Sequence, residues 1–378
     1  MHADSSSATT ETVGSTAADT SDRWPLVSLI MPIRNESDFI ARSLGAVLAQ
    51  SYPAERLEIL VADGMSTDDT RAIVAALARA DARRTASGAG RVRIVENPER
   101  IVPTGMNRAM ALARGEVVVR VDGHCEVPPG YVARAVELLE RDGVAGVGGP
   151  VETVGSSATA RAISLAMSSA FGVGGGSFRT AHAGERDADT VPFPAYRRRV
   201  IDTAGPYDEE LVRNQDDEYN YRLRKLGWKL VLSPELASRY HARSTFRGLV
   251  RQYAGYGYWK VRVLQKHPRQ MRSRQFAPPL ACAVALALIA LAPVSALARE
   301  GLAMATVAYV LLAGAAAAWA VRREGAGAWP SVVLAFASMH VAYGMGFLIG
   351  LWRFRDRWSR RSGAAPRASG SPEAAGAP

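Results

Sequence analysis

The chain has 378 residues, carries 46 Lys and Arg against 36 Asp and Glu for a net charge of +10, and contains two cysteines, Cys125 and Cys282. Two cysteines exclude a disulfide framework and a cysteine zinc cluster. The excess charge has an address: ten basic residues and no acid lie between Arg239 and Pro279, leaving 36 of each sign elsewhere. This stretch directly precedes an apolar block, Leu280 to Trp352, so its position fits an anionic membrane surface and argues against a nucleic-acid partner. Residues 1–23 are rich in Ser, Thr, Ala and Asp and have no hydrophobic run of signal-peptide type, so they read as a polar tail.

From Leu26 onward, short apolar runs alternate with segments of helical period. Strands are expected at Leu26–Met31, Leu57–Ala62, Val92–Val95 and Val117–Val121, the last apolar except for Arg120. Helices are expected at Ser37–Gln50, Thr67–Ala80 and Gly105–Arg114, and after Pro129 up to Gly143. Four β-then-α units in about 120 residues predict a doubly wound α/β domain with a mostly parallel sheet, covering residues 24–247. In such sheets ligands bind outside the carboxyl ends of the strands. The polar residues placed there are Asn35 and Glu36, Asp63, and Asp122 with His124. Further on, Gly172–Gly176 is a glycine-rich loop, which with Gly174, Gly176, Phe178 and Arg179 is the candidate acceptor-side loop. Short helices are expected at Arg197–Thr203 and Asp217–Leu226, and a strand at Trp228–Leu232. Residues 248–279 then interleave Tyr253, Tyr256, Tyr258 and Trp259 with Arg and Lys, which suits a membrane interface or a sugar-binding surface.

Several motifs in one order carry a resemblance. They are SLIMPIRNE (Ser28–Glu36), ADGMSTDDT (Ala62–Thr70), GMNRAMALARGEVVVRVDGH (Gly105–His124) and NQDDEYNYRL (Asn214–Leu223). Together they resemble the family 2 glycosyltransferases, inverting enzymes with a GT-A-type nucleotide-diphospho-sugar domain, over about Val27 to Leu264. With YGYWK and the apolar block, they resemble in particular the exopolysaccharide subgroup that includes the succinoglycan-type glucosyltransferases. The resemblance implies nucleotide-sugar contacts from Pro32, Asn35, Glu36, Asp63, Asn107 and Asp122. It implies a divalent metal, Mn²⁺ or Mg²⁺, at Asp122 and His124, with His241 as a third ligand. It puts Asp216 on the catalytic aspartate, and Asp217, Glu218, Arg222 and Trp259 on the acceptor side.

The chemistry agrees with these assignments. A sugar diphosphate gains negative charge on its leaving group as the glycosidic bond breaks, and a hard cation at Asp122 stabilises that charge. Exchanging one carboxylate for imidazole moves the preference toward Mn²⁺. An acceptor hydroxyl needs a base, and Asp217 and Glu218 beside Asp216 crowd like charge that raises its proton affinity. The same acids also suit a helix N-terminus, Asn35, Glu36 and Asp63 suit helix caps, and His241 suits a structural role.

The expected activity is metal-dependent transfer of a hexose, glucose from UDP-glucose, to a polyprenyl-diphosphate-linked saccharide, with the catalytic domain on the cytoplasmic face of the inner membrane. A processive synthase and an inactive membrane scaffold are the rivals. A dinucleotide fingerprint, a P-C-x-x-C deaminase motif and a phosphate-binding glycine-lysine loop are all absent from the sequence.

The uncharged stretches Leu280–Ala298, Gly301–Val321 and Ala328–Trp352 have 19, 21 and 25 residues, each enough to cross a ~30 Å core. Three crossings are the direct expectation. They would leave Arg353, Arg355, Arg357, Arg360 and Arg361 opposite the basic stretch, against the positive-inside tendency; two crossings plus one interfacial or re-entrant segment is the alternative.

Overall fold

A computed structural model describes residues 24–83, 90–174, 184–241, 245–322 and 328–358. The N-terminal half opens with β1 (Val27–Ile33), α1 (Ile40–Leu48), β2 (Leu57–Asp63), α2 (Thr70–Ala82), β3 (Val92–Glu96), α3 (Val102–Leu112) and β4 (Val117–Arg120). Every residue of β1 and β4 is buried, as expected for strands with both faces covered by other elements. On α1, Ile40, Leu44 and Val47 recur at helical spacing and face the core.

The chain continues through β5 (Cys125–Glu126), α4 (Tyr131–Leu139), β6 (Val144–Gly148), β7 (Val151–Val154), α5 (Ala158–Met167), α6 (Ala170–Val173), β8 (Arg186–Asp187), β9 (Ala195–Arg197), α7 (Arg198–Ala204), α8 (Gln215–Lys225), β10 (Lys229–Leu232) and β11 (Ser238–His241). The main sheet has eight strands in the order β3-β2-β1-β4-β9-β6-β10-β8. Parallel pairing holds β3, β2, β1 and β4 together, as the sequence predicts. The sheet is mixed at its centre, because β9 runs antiparallel between β4 and β6. β9 has only three residues and no periodicity of its own to announce it. A second, three-stranded sheet, β5-β11-β7, brings His241 and Glu126 alongside the end of β4.

Among the described residues four long helices follow: α9 (Phe246–Lys266), α10 (Ala277–Leu291), α11 (Ala296–Val321) and α12 (Trp329–Arg353). The stretch expected to run unbroken from Leu280 to Ala298 is divided between two helices. Its helix ends at Leu291, Pro293 lies in the turn, and Ser295 starts α11 by accepting the Ala298 N–H on its hydroxyl at 3.2 Å. Most of the basic aromatic segment is α9, which packs along α12.

Candidate active site

The carboxyl ends of β1, β2 and β4 frame a cleft of about 350 Å³, with Pro32, Glu36, Arg120, Asp122, His124 and Asp216 among its lining residues. Two loops at its rim are tied to each other. Asn35 sits in the left-handed region (φ 53°), donates its N–H to Ser66 Oγ at 2.9 Å and accepts the Thr67 N–H on Oδ1 at 2.9 Å. Asp63, 1% exposed, accepts the Ser66 hydroxyl at 2.5 Å and lies 3.5 Å from Arg71. Asn35 and Asp63 therefore hold the rim together, and Glu36 is the acid of this group that faces the cleft.

At the end of β4, Arg120 and Asp122 are two residues apart and share a strand face. Arg120 Nε and Nη2 donate to the two carboxylate oxygens of Asp122 at 2.8 and 3.1 Å. Burial works against the Arg120 charge, but Asp122 and Asp216 outweigh it and push the guanidinium pKa up. An Arg inside an otherwise all-valine strand was the sequence signal for this contact.

His124 Nδ1 lies 2.8 Å from Glu36 Oε1. With Nδ1–H donated to that carboxylate, Nε2 keeps its lone pair for another partner. His241 is placed differently: Nε2 contacts Glu126 Oε1 at 2.6 Å, its ring stacks on Phe39, and it does not line the cleft. Among the described residues, no group of three His, Cys, Asp or Glu gathers as a metal cage. Asp122 and His124 offer one carboxylate and one imidazole, a set that suits a divalent cation completed by water and diphosphate oxygens.

Asp216 enters from the first turn of α8. The preceding Asn214 is left-handed (φ 62°) and donates its side-chain amide to the Tyr256 carbonyl at 3.0 Å. Desolvation raises the Asp216 pKa above the ordinary value, and the charges of Asp217 and Asp122 add to this while Arg120 opposes it. Asp217 pairs with Lys260 of α9, whose side chain is buried.

A second cavity, of about 570 Å³, lies beyond Asp216. Asp216, Asp217, Lys260 and Arg274 are among its polar lining residues, and Ala277 and Ala281 of α10, Tyr309 and Leu312 of α11, and Met339 and Tyr343 of α12 are among the others. Asp216 lines both cavities. Gly174 also reaches the second one, at φ 78°, with the Arg274 side chain 3.0 Å from where a Cβ would stand. Gly176, Phe178 and Arg179 lie outside the described residues.

Other expected site residues are turned away from both cavities. Asn107 donates to the Tyr207 carbonyl and to Glu209, both at 2.9 Å, and accepts the Tyr207 N–H, so it clamps the 207–209 loop. Glu218 and Arg222 pair with each other at 3.1 Å. Burial works to raise the Glu218 pKa, but hydrogen bonding to His267 and the Arg222 charge hold it below its ordinary value. Trp259 packs on Phe354, with ring centroids 5.7 Å apart. Sequence reasoning assigned no role to Lys260, Arg274 or the membrane-type helices in the site, because only packing brings them there.

Residues 28–203 match the profile of Glycosyl transferase family 2. The chain is 30% identical over 341 residues to the succinoglycan biosynthesis protein ExoA of Rhizobium meliloti (strain 1021), covering 87% of this chain and 96% of that protein. It is 27% identical over 246 residues to the dolichyl N-acetyl-alpha-D-glucosaminyl phosphate 3-beta-D-2,3-diacetamido-2,3-dideoxy-beta-D-glucuronosyltransferase of Methanococcus voltae, covering 64% of this chain and 74% of that one. Among solved structures it is similar to the mannosyltransferase PcManGT from Pyrobaculum calidifontis in complex with GDP-Man and Mn²⁺. The TM-score is 0.55 at 21% identity, covering 87% of this chain and 88% of that one, a likeness of fold. The mixed, mostly parallel sheet, the family profile and the full-length relative agree: the chain belongs to glycosyl transferase family 2 and is a glycosyltransferase of GT-A fold.

Proposed function

We propose that this glycosyltransferase moves a hexose, glucose from UDP-glucose, onto a polyprenyl-diphosphate-linked saccharide in exopolysaccharide assembly, with inversion at the anomeric carbon. The observation that carries the reading is Asp216 standing on the wall common to a polar cleft at the strand ends and an apolar cavity framed by α10, α11 and α12. The donor belongs in the first cavity and the lipid-borne acceptor in the second. The Asp216 carboxylate takes the proton of the acceptor hydroxyl as its oxygen attacks the anomeric carbon, and the nucleoside diphosphate leaves from the opposite face. One displacement inverts the configuration.

Arg120 keeps a fixed positive charge beside the donor phosphates and orients Asp122. Glu36 orients the His124 ring. A divalent cation, held by Asp122 and His124, supplies charge neutralisation for the leaving diphosphate. The relatives support a polymer- or glycan-building role, since one is a succinoglycan biosynthesis protein and another is named for transfer to a dolichyl-linked sugar phosphate. The apolar helices support a place at the membrane, and use of a nucleotide sugar puts the catalytic domain at the cytoplasmic face.

The test is to incubate membranes containing the full chain with a panel of UDP-sugars and to weigh the lipid-linked product. A single added hexose from UDP-glucose supports the reading. Long polymer overturns it in favour of a processive synthase, and no turnover with any donor leaves a scaffold.

A further inference from the structure

Among the described residues three helices are long and apolar enough to cross a membrane, but they are not equivalent: 44% of the apolar stretch of α12 is buried inside the protein, against 6% and 11% for those at α10 and α11. We infer that only α10 and α11 enter the bilayer, as a hairpin, and that α12 is a docking helix which stays on the catalytic domain. The foot of α12, Arg353 to Trp358, then lies on the same side of the membrane as Asp216.

The close partner of α12 is α9, which runs beside it in the same direction, and glycines let the two backbones meet. A Cβ on Gly346 would fall 2.1 Å from the Ala254 carbonyl oxygen, and one on Gly257 would fall 2.0 Å from that of Tyr343. In this same stretch α9 is held to the catalytic domain by ion pairs. Lys260 meets Asp217, Arg262 Nε meets Glu210 Oε1 at 2.9 Å, and Lys266 Nζ meets Glu210 Oε2 at 2.8 Å.

The foot of α12 joins the same network. Gln265 donates to the Phe354 carbonyl at 2.8 Å, and Arg357 Nη1 lies 2.5 Å from Glu210 Oε1. Nearer its start, Phe336 packs edge-on against Phe171 (centroids 4.9 Å apart), His340 Nε2 lies 3.0 Å from the Phe171 carbonyl, and α5 packs against the helix as well. A position across the hydrocarbon core would carry α9, its cations and the carboxylates around the catalytic base into lipid, where neither charge nor open loop backbone is tolerated.

The hairpin has the opposite character. α10 leaves from the catalytic side, where Gly344 of α12 packs on Pro278 and Cys282, and α11 returns to it, where Tyr309 meets His340 at 3.0 Å. Between these points Val294, Leu297 and Met304 are 85%, 78% and 72% exposed. Side chains of this kind on α11 and on the 19-residue helical run Ser273–Leu291 that contains α10 fit a lipid bilayer. The assignment also places Arg353, Arg355 and Arg357 on the side of the basic stretch, which removes the conflict with the positive-inside tendency.

Single cysteines test the inference in the full-length chain, with Cys125 and Cys282 replaced by alanine. Asp356→Cys and Ser51→Cys report the foot of α12 and the catalytic domain, and both sites are exposed. In sealed vesicles of one orientation, a membrane-impermeant maleimide should label the two to within twofold of each other, and both should be protected in vesicles of the other orientation. Labelling of the two sites in opposite orientations overturns the inference. If the cysteine-free background fails to fold, the unmodified chain carries a fluorescent protein and, separately, alkaline phosphatase, before Trp24 or after Arg361. Matching reporter activity at both ends is expected, and opposite activity overturns the assignment. Neither result depends on the donor or the acceptor, so failure here leaves the proposed reaction standing, and failure of the reaction leaves the topology standing.

Discussion

The ammonium of Lys260, buried on α9, meets the carboxylate of Asp217, and this contact separates the roles of two acids adjacent in sequence. Asp217 is occupied as the counter-ion of a buried cation. Asp216 lines both cavities and feels Arg120 as a charge opposing its desolvation.

Asp216→Asn keeps size and hydrogen bonding but removes the base, so single-turnover transfer should fall by at least ~10²-fold with UDP affinity retained. Asp217→Asn should show its main effect elsewhere. It leaves Lys260 without its charge partner, at a cost of about 1–3 kcal/mol that thermal unfolding will read. A loss of transfer larger in Asp217→Asn than in Asp216→Asn reverses the assignment.

The raised pKa of Asp216 has two consequences of known sign. As a base it works only when ionised, so kcat/KM should fall as pH drops through a value above the ordinary 3.8, and the Asn variant should lack that limb. For stability, the protonated side chain carries no charge penalty below the unfolded-state pKa. As pH rises through the folded-state pKa, ionisation in the desolvated site removes that stability. Asp216→Asn should therefore melt higher than the parent at neutral pH, with the difference closing toward acid; equal melting curves at both pH values would count against the desolvation argument.

Metal removal should separate the two histidines. EDTA should abolish transfer, and Mn²⁺ or Mg²⁺ should restore it. His124→Ala should raise the metal concentration needed for half-activity by ~10-fold or more. His241→Ala removes a contact with Glu126 and a ring stacked on Phe39, so it should lower the melting temperature while leaving the metal requirement unchanged. Full activity in EDTA sinks the metal assignment at Asp122 and His124.

The apolar cavity makes a claim about the acceptor. Ala281→Trp puts an indole into the space between α10 and Asp216. The KM for a polyprenyl-linked acceptor should rise at least ~10-fold, while the KM for UDP-glucose stays within about twofold. Equal changes in both constants would mean that the cavity does not distinguish acceptor from donor.

Much of the catalytic domain was determined locally. Leu29, Ile59 and Val119 lie in apolar runs that read as strands in water or in a folded protein, and Ile40, Leu44 and Val47 keep helical spacing whatever packs on them. Asp122, His124 and Asp216 were legible because they stand at the ends of strands or at the start of a helix, where the backbone fixes their direction. Other positions had no local signature. β9 is three residues long and exists only because β4 and β6 offer two open edges. His241 lies near the end of β4, but its partner is Glu126, and the sequence distance of 115 residues hides that pairing. Apolar length alone makes α12 indistinguishable from α11, since hydropathy counts side chains and not their neighbours. The glycine contacts with α9 and the ion pairs of α9 with Asp217 and Glu210 decide where α12 lies, and these interactions between distant segments exist only after the chain has folded.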